Sequence, residues 1–240
     1  DVYQSSENVK EWSEKKRLTL EKDTSGLYLT GHPFDVYEKE VRQFSPNSIA
    51  NLKSSKSKVT VVGLIVDIRL MKNKRGQTMC FVTLDDRTAR IEAMLFSDSY
   101  DEYRDAIEKD QVVAISGVVS FDEYSSGLKF RASAVNDIAT ARSKFAKYLS
   151  LSVLDKQCEQ AFIPKLKDAL EVYRSSVNAS NQVGDEPLEH LGACKVVLKY
   201  SRSEASVLIE FGQAWYVKPT DELLESLGEL LGAEAVSLVY

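Results

Sequence analysis

The hydrophobic pattern of the chain changes at Val59, where it takes on the two-residue period of β-strands. Five runs have this period, and a helix capped by Ser97 or Asp98 is predicted between the third and fourth. The predicted strands are Val59–Leu70, Thr78–Leu84, Arg90–Phe96, Val112–Val119 and Leu128–Val135. Three strands, a helix and two strands are the order of an OB-fold, a five-stranded Greek-key β-barrel. A generic α+β domain has the same elements, but the long first strand and the helix position favour the barrel.

A short helical segment is predicted before the barrel. Residues 8–22 have helical character, and Asp35 is expected to cap a second helix that ends near Phe44. Residues 45–57 are rich in Ser, Asn and Lys and are predicted to be a linker. Within the first strand, Gly63 predicts a bulge where the strand bends.

Residues 139–240 predict a small α+β domain. Its expected elements are a helix at 139–148, a strand at 149–154, a helix at 156–173 capped by Asp155, an antiparallel meander of strands at 194–200, 206–211 and 214–217, a helix from a Thr220 cap to Leu231, and a strand at 235–239. Residues 175–189 predict a loop. The chain is therefore expected to be multidomain, with a helical segment and linker at 1–57, an OB-fold at 58–138 and an α+β domain at 139–240.

Composition and charge limit the partners that are expected. The chain has 43% hydrophobic and 28% charged residues, typical of a soluble globular protein, and no apolar run near the ~20 residues of a membrane span. Cys80, Cys158 and Cys194 are odd in number and far apart, which argues against a disulfide framework or zinc site and fits a reducing cytoplasm. The net charge is -5 and no segment is strongly basic, so a nucleic-acid contact is expected to be small and salt-sensitive.

The sequence shows no catalytic constellation. It lacks a glycine-rich phosphate loop and a Gly-x-Ser-x-Gly elbow, and neither His32 nor His190 has a companion at metal-ligand spacing. Adjacent carboxylates at Asp85 and Asp86 can hold magnesium, but Asp-Asp-Arg-Thr at a strand end favours a turn. His32, between a glycine and a proline, is expected to be satisfied by backbone groups. We therefore predict no catalytic residue, no metal site and no cofactor in this chain.

The second and third strands present a face suited to single-stranded nucleic acid. OB-folds bind single strands there, between the loops that join strands one to two and four to five. Alternation turns Phe81 outward, where a base can stack on it for about 1–3 kcal/mol, and it also turns Arg90 outward to meet the backbone. Gly76 is expected to let the first loop approach a phosphate. The predicted nucleic-acid-binding residues are Arg69, Lys72, Lys74, Arg75, Phe81, Arg90, Tyr124, Lys129 and Arg131.

Another interpretation of the same residues stays open. In it, Lys72–Arg75 is only a solvated hairpin and Phe81 packs against a neighbouring domain. The acidic residues Glu92, Asp122 and Glu123 weaken the case for binding. Binding is favoured because the basic and aromatic groups converge on the usual site of the fold.

Two stretches of the chain resemble a known family. One is Leu18–Tyr37, which contains Gly-Leu-Tyr-Leu-Thr-Gly-His-Pro, and the other lies in the barrel, with Lys74-Arg75-Gly76 and Phe81–Thr88 followed by Arg-Ile-Glu. Both resemble the alpha subunit of bacterial replicative DNA polymerase III of the proteobacterial type. Ala89 departs from the glycine that is common in the family. The likeness covers about residues 10–145 and is looser in the rest of the chain, where it rests on Phe211-Gly212 and Trp215.

The resemblance implies a non-catalytic, C-terminal part of a DNA-directed DNA polymerase. In that family the barrel is thought to contact the single-stranded template, and the C-terminal domain binds the tau subunit of the clamp loader. The catalytic aspartates and their magnesium are expected upstream of this chain. Asp1-Val2-Tyr3 resembles the end of the clamp-binding pentapeptide of the family, which implies the sliding clamp as a further partner.

Two other classes of protein compete with this interpretation. An aminoacyl-tRNA synthetase carries an anticodon-binding OB-fold with a similar second strand, but it needs a large catalytic domain after the barrel, and residues 139–240 are too short for one. A free-standing single-strand-binding protein predicts a more basic barrel and an acidic disordered tail, and the sequence shows neither.

Overall fold

The computed structural model describes residues 11–122, 127–158, 161–174 and 193–240. The α-helices are α1 Glu14–Ser25, α2 Asp35–Phe44, α3 Ser97–Tyr103, α4 Ile138–Phe145, α5 Phe162–Glu171 and α6 Asp221–Leu231. The β-strands are β1 Val59–Lys72, β2 Thr78–Asp85, β3 Arg90–Leu95, β4 Val112–Asp122, β5 Gly127–Asp137, β6 Tyr148–Leu154, β7 Val196–Ser201, β8 Ser206–Glu210 and β9 Val236–Val239. None of the helices in the described ranges has the length and apolar character that crossing a membrane requires.

The chain divides into two compact units. The first holds the residues up to Val112 together with Ser116–Ser133, and the second holds Val113–Ile115 together with Ala134–Tyr240. The helices α1 and α2 therefore share a unit with most of the barrel strands. The domain limits expected after residues 57 and 138 stay predictions.

Strands β1 to β5 close into a barrel in the order β1-β2-β3-β5-β4. β2 pairs antiparallel with β1 and β3, and β3 pairs parallel with β5. The helix α3 follows β3 in the chain and precedes β4. This strand order and helix position are those of the OB-fold, so the predicted barrel is confirmed.

Two-residue alternation separates the inside of the barrel from its outside. Cys80, Val82 and Leu84 of β2 are completely buried. Between them, Phe81 and Thr83 are only partly covered and lie on the outer face. Burial of apolar side chains from each strand supplies the main stabilisation of the barrel, at about 25 cal/mol per Å² removed from water.

The register of β1 against β2 shifts between Ile65 and Asp67, which marks a bulge at that place. The prediction of a bulge at Gly63 is wrong. Gly63 instead allows a close approach, because a Cβ on it would lie 3.1 Å from the carbonyl oxygen of Asp85 in β2.

The strands β4 and β5 approach most closely at Gly117. A Cβ on this residue would lie 2.2 Å from the carbonyl oxygen of Arg131, well inside the van der Waals distance. Beside it, the Ser133 hydroxyl donates a hydrogen bond to the Ser116 carbonyl at 3.2 Å. The barrel therefore needs a residue without a side chain at this position.

The turn after α1 folds back on the helix, whose C-cap is Gly26 with a left-handed φ of 75°. Glu21 accepts hydrogen bonds from the backbone N–H groups of Leu29 and Thr30 at 2.9 and 3.0 Å. It also accepts one from the Thr30 hydroxyl at 2.6 Å, and this bond is the largest cause that lowers the pKa of Glu21. Glu21 thus fixes the path of the Leu-Tyr-Leu-Thr-Gly-His-Pro stretch.

Lys22 and Tyr28 join this segment to the turn before β4. The Lys22 ammonium lies 3.3 Å from the Asp110 carboxylate and 5.0 Å from the centroid of the Tyr28 ring. Burial, followed by the charge of Asp110, raises the pKa of Tyr28 to about 12. The phenol therefore stays protonated at any physiological pH.

Asp35 does not cap α2 as predicted. It is the first residue of the helix, and the preceding Phe34 makes no capping hydrogen bond through its side chain. The Asp35 carboxylate instead accepts from the backbone N–H of His32 at 3.2 Å and pairs with Arg87 at 2.5 Å. Asp35 therefore links α2 to the turn between β2 and β3.

The predicted linker at 45–57 is packed against the barrel. It contains a 3-10 turn that begins at the buried Ile49, whose N–H donates to the buried Asp86 carboxylate at 2.8 Å. The same carboxylate accepts from the Thr88 N–H at 3.0 Å, the Thr88 hydroxyl at 2.6 Å and the Ala89 N–H at 3.2 Å. One side chain therefore holds both the β2–β3 turn and the linker.

The second unit contains a four-stranded sheet in the order β8-β7-β6-β9. β6 is parallel to β7 and antiparallel to β9, and β7 forms an antiparallel hairpin with β8. Side chains from β6, β7, α5 and α6 form its buried core. The predicted α+β class is confirmed, and so is the Thr220 cap, whose hydroxyl accepts from the Leu223 N–H at 3.3 Å.

Several details of the second unit were predicted wrongly. The third meander strand is absent from the described part of this region: Gln213–Trp215 is a 3-10 turn, and Val217 makes only isolated bridges with Arg174 and Cys194. Asp155 does not cap α5, which begins seven residues later, at Phe162. The Asp155 carboxylate instead accepts a hydrogen bond from the Tyr200 hydroxyl. The strand β8 lies at the edge of the sheet, and all its residues are exposed.

We expect Asp86→Asn to destabilise the first unit by about 2 kcal/mol. The amide keeps one acceptor oxygen but turns a donor toward backbone N–H groups that are buried, and an unsatisfied buried group costs about 1–3 kcal/mol. Urea unfolding monitored by circular dichroism measures the change. Asp67→Asn, the same substitution at an exposed position of β1, is the control and should change stability by less than about 0.5 kcal/mol. Equal stability of the two variants would contradict this role of Asp86.

Candidate functional site

Four outward side chains form one row across the barrel. Arg69 of β1 pairs in register with Phe81 of β2, Phe81 with Met94 of β3, and Met94 with Arg131 of β5. Directly opposed residues on one face of a sheet have neighbouring side chains. The row therefore brings two arginines, an aromatic ring and a thioether onto one surface of the barrel.

Each arginine of the row covers a phenylalanine ring. The guanidinium carbon of Arg69 lies 4.9 Å from the centroid of the Phe81 ring. The guanidinium carbon of Arg131 lies 4.7 Å from the centroid of Phe96, the residue after β3. Both distances are within the ~6 Å range of cation–π attraction. The planar guanidinium groups extend the flat surfaces that the two rings offer.

The two arginines differ in their acidic neighbours. A nitrogen of Arg69 lies 3.1 Å from the carboxylate of Glu92, on the adjacent row. Arg131 makes no ion pair with any residue in the described ranges. Glu92 therefore offsets the charge of Arg69 and leaves that of Arg131 in place.

The loop between β1 and β2 is ordered by Asn73. Its side-chain oxygen accepts from the N–H groups of Arg75 and Gln77 at 2.9 and 3.0 Å, and its amide donates to Gln77 at 2.9 Å. Gly76 has a φ of 79°, and its N–H donates to the Asn73 carbonyl at 2.9 Å. This N–H is used inside the turn and the glycine supplies the left-handed backbone, while the expected approach of Gly76 to a phosphate stays a prediction.

Three basic side chains project from this ordered loop. Lys72, Lys74 and Arg75 are exposed, and within the described ranges none of them pairs with an acidic group. The loop leads into Thr78, the first residue of β2, which precedes Phe81 by three residues. The loop therefore adds positive charge at one end of the aromatic row.

The region around the second loop, between β4 and β5, is only partly described. Lys129 pairs with Asp122 at 2.6 Å, so its charge is locally offset. Phe121, at the end of β4, is exposed. Tyr124 lies outside the described residues, and so does Glu123.

Arg90 is not brought to the aromatic row. It pairs in register with Asp85, and its Nε donates to the Asp85 carboxylate at 2.7 Å. Phe81 lies four residues away along β2, at ~3.3 Å per residue. The prediction that Arg90 meets the backbone of a strand stacked on Phe81 is therefore not supported by the geometry. Arg69 and Arg131 are the arginines that lie in the row.

The acidic pair and the histidine are parts of the architecture. Burial favours a raised pKa for Asp85, but hydrogen bonds from Arg90 and from the Arg87 N–H outweigh it and lower the pKa. The Nδ1 of His32 accepts from the Phe34 N–H at 3.2 Å, and burial lowers the pKa of this histidine. Within the described ranges, no group of three or more His, Cys, Asp or Glu side chains is arranged to hold a metal ion.

An apolar groove lies on the second unit, between α5 and the turn after β8. Its volume is about 330 Å³, and its lining residues are Ile163, Leu166, Lys167, Leu170, Phe211, Gly212 and Trp215. Leu166 and Leu170 are buried at its floor, whereas Ile163 is 63% exposed on its wall. At the rim, the Arg174 guanidinium covers the Trp215 ring at 4.9 Å. The groove is therefore apolar inside, and the charge of Arg174 at its edge is offset by the Glu171 carboxylate at 2.6 Å.

Two families match separate parts of the chain. The family described as OB-fold nucleic acid binding domain matches residues 59–138, and the family described as DNA polymerase III subunit alpha, C-terminal domain, matches residues 186–232. The DNA polymerase III subunit alpha of Pseudomonas aeruginosa is 40% identical over all 240 residues of this chain. Over its full length, the chain matches the C-terminal region of DNA polymerase III alpha subunits. The resemblance seen in the sequence is thereby confirmed.

Other alpha subunits match over the same length. Those of Vibrio cholerae and Escherichia coli K12 are 39% and 38% identical to the full chain. The chain spans 19 to 20% of the length of these relatives, about one fifth. The second OB-fold domain of replication protein A from Methanococcus maripaludis aligns with 38% of this chain and 93% of its own, at 22% identity. Its TM-score is 0.31, which adds nothing to the family assignment.

Two features of this alpha-subunit region escaped the sequence analysis. Phe96 was placed at the end of a strand but not on the outer face, although it follows Met94 by two residues and alternation predicts the same side. The groove of the second unit was missed because its walls, α5 and the Phe211–Trp215 turn, are distant in sequence. The clamp-motif remnant Asp1-Val2-Tyr3 lies outside the described residues and stays a prediction.

We expect Asn73→Ala to loosen the loop between β1 and β2 of this alpha-subunit barrel. The substitution removes the acceptor that holds the N–H groups of Arg75 and Gln77, so both amides should exchange with solvent faster. Hydrogen–deuterium exchange followed by NMR measures the two rates. Asn73→Asp keeps the acceptor oxygen and should preserve protection. Unchanged exchange in the alanine variant would show that the loop is ordered by other contacts.

Proposed function

We propose that this chain acts as the non-catalytic C-terminal part of a bacterial replicative DNA polymerase. In this proposal its OB-fold contacts the single-stranded template and its C-terminal unit binds the tau subunit of the clamp loader. The parent protein is a DNA-directed DNA polymerase of the cytoplasm, whose magnesium-dependent nucleotidyl transfer takes place elsewhere in that protein. No cofactor is assigned to these 240 residues.

The proposed template contact is supported by one observation. Beside the basic loop between β1 and β2 lies the row of Arg69, Phe81, Met94 and Arg131. Single strands bind through bases stacked on aromatic rings and phosphates held by basic side chains. Both kinds of group lie on the same face here, with the loop charges unpaired within the described ranges. The family match of the barrel to nucleic-acid-binding OB-folds supports the same conclusion.

The loop charges should set much of the salt dependence of template binding. Lys74→Gln with Arg75→Gln removes two cations, which should reduce the slope of log affinity against log salt by about 1.4. Fluorescence anisotropy with a labelled oligothymidylate measures the slope. A control variant with Lys39→Gln and Lys53→Gln removes two exposed lysines elsewhere and should keep the slope. No binding by the unaltered chain at low salt would refute the template contact.

The proposed tau contact is supported by the groove between α5 and the Phe211–Trp215 turn. A groove of about 330 Å³ with an apolar floor accommodates the apolar anchors of a partner segment. Lys167 on its lining favours a partner with an acidic residue beside those anchors. The part of the chain matched by the C-terminal domain family includes Phe211 and Trp215.

A charge introduced in the groove should weaken tau binding. Ile163→Glu places a carboxylate on an exposed wall of the groove without altering its buried floor, so we expect at least about a tenfold loss of affinity. Surface plasmon resonance with immobilised tau measures it. Val172→Glu makes a similar change at a residue that is 79% exposed and outside the groove, and it should bind tau normally. Equal affinity of the two variants would place the tau contact elsewhere.

The sliding clamp is a further partner in this proposal. It rests on the resemblance of Asp1-Val2-Tyr3 to the end of a clamp-binding pentapeptide, which is an inference from three residues of sequence. A pull-down of the clamp by the full chain, compared with a chain in which these residues are alanine, tests it. Equal recovery of the clamp would remove this partner.

A further inference from the structure

We propose that the barrel face holds two base-stacking subsites of unequal charge. One consists of Phe81 with Arg69, the other of Phe96 with Arg131, and only the second offers an uncompensated charge to a phosphate. The proposal rests on the single-strand contact proposed above and deepens it. It gives each subsite a separate part in binding, with Glu92 responsible for the difference.

The ring of one subsite, Phe81, lies on β2, and the ring of the other, Phe96, directly follows β3. Phe81 pairs with Met94, two residues before Phe96, so the two aromatic residues are diagonal neighbours about 7–8 Å apart. A stacked nucleic-acid strand rises only ~3.4 Å per nucleotide. Neighbouring bases of one strand therefore reach both subsites only when they are unstacked from each other. The arrangement favours an unpaired, extended strand over a duplex.

Glu92 makes the Arg69 subsite electrically neutral. Its carboxylate lies 3.1 Å from the Arg69 guanidinium, and both side chains are more than half exposed. A phosphate that approaches Arg69 meets this carboxylate first and must displace it. Because an anion already occupies the guanidinium, little counterion release is expected when a base stacks there.

The Arg131 subsite is open to phosphate. The guanidinium lies over Phe96 and has no carboxylate partner within the described ranges. A cation that neutralises one phosphate contributes about 0.7 to the salt slope of single-strand binding. We therefore assign one phosphate contact to Arg131 and none to Arg69 while Glu92 is present.

The test compares five variants of the full chain by anisotropy with a labelled oligothymidylate at several salt concentrations. Arg131→Gln should reduce the salt slope by about 0.7, whereas Arg69→Gln should leave it unchanged. Glu92→Gln should increase the slope by about 0.7, and adding Arg69→Gln to it should restore the original value. Arg90→Gln is the matched control, because Arg90 pairs with Asp85 away from the row, and it should not alter the slope.

The stacking part of the proposal has its own readout. Phe96→Leu and Phe81→Leu keep apolar side chains but remove the rings, and each should lower affinity by about fivefold or more without changing the salt slope. Thermal melting of each variant checks that the barrel remains folded. A loss of affinity for Phe81→Leu alone would leave one stacking site and overturn the two-site proposal.

The outcomes separate this proposal from the one it rests on. Equal slope changes for Arg69→Gln and Arg131→Gln, or no response to Glu92→Gln, would overturn the unequal subsites while leaving single-strand binding intact. Absence of binding by the unaltered chain at low salt would instead overturn the template contact itself. If the salt slopes change as expected and each phenylalanine variant loses affinity, both the template contact and the unequal subsites are supported.

Discussion

The carboxylate of Asp86 is the contact on which the first unit depends. Four hydrogen bonds converge on it, from the β2–β3 turn and from the segment that precedes β1. A buried carboxylate is costly unless its oxygens are satisfied, and here backbone groups satisfy it. The turn it organises keeps β2 and β3 in register, and that register aligns Phe81 with Met94. The geometry of the outer face is therefore linked to one side chain at the opposite end of the hairpin.

The barrel was predictable because its signals are local. Alternation gives both the strands and the side on which Phe81 lies, and turn chemistry explains Asp85 and Asp86 without a metal. The partners of Phe81 were not predictable in the same way. Whether Arg69 or Arg90 lies beside it depends on strand register, and the place of Arg131 in the same row depends on a parallel pairing of β3 with β5, which joins residues far apart in the chain. The charge offset of Arg69 by Glu92 depends on the registers of β1 with β2 and of β2 with β3.

The second unit was harder to predict because its pairings are less local. β6 and β7 are parallel neighbours although α5 lies between them in the chain, so their contact has no hairpin signal. Val217 is a β-branched residue of the kind that is enriched in strands, but it forms only isolated β-bridges, with Arg174 and Cys194. Of the short apolar run at 214–217, the first two residues belong to the 3-10 turn Gln213–Trp215, which places Trp215 at the groove. The hydrophobic pattern of the sequence alone does not distinguish a strand from a 3-10 turn at these residues.

The exposed edge strand β8 has a consequence for the behaviour of the protein in concentrated solution. Val207, Leu208 and Ile209 are 49%, 67% and 44% exposed on a strand that, among the described residues, has a neighbouring strand on one side only. Unpaired backbone groups beside adjacent apolar side chains are a template for strand addition from another molecule. The other edge strand of this sheet, β9, is one residue shorter than β8. A single lysine at Leu208 should therefore improve solubility without disturbing the buried core.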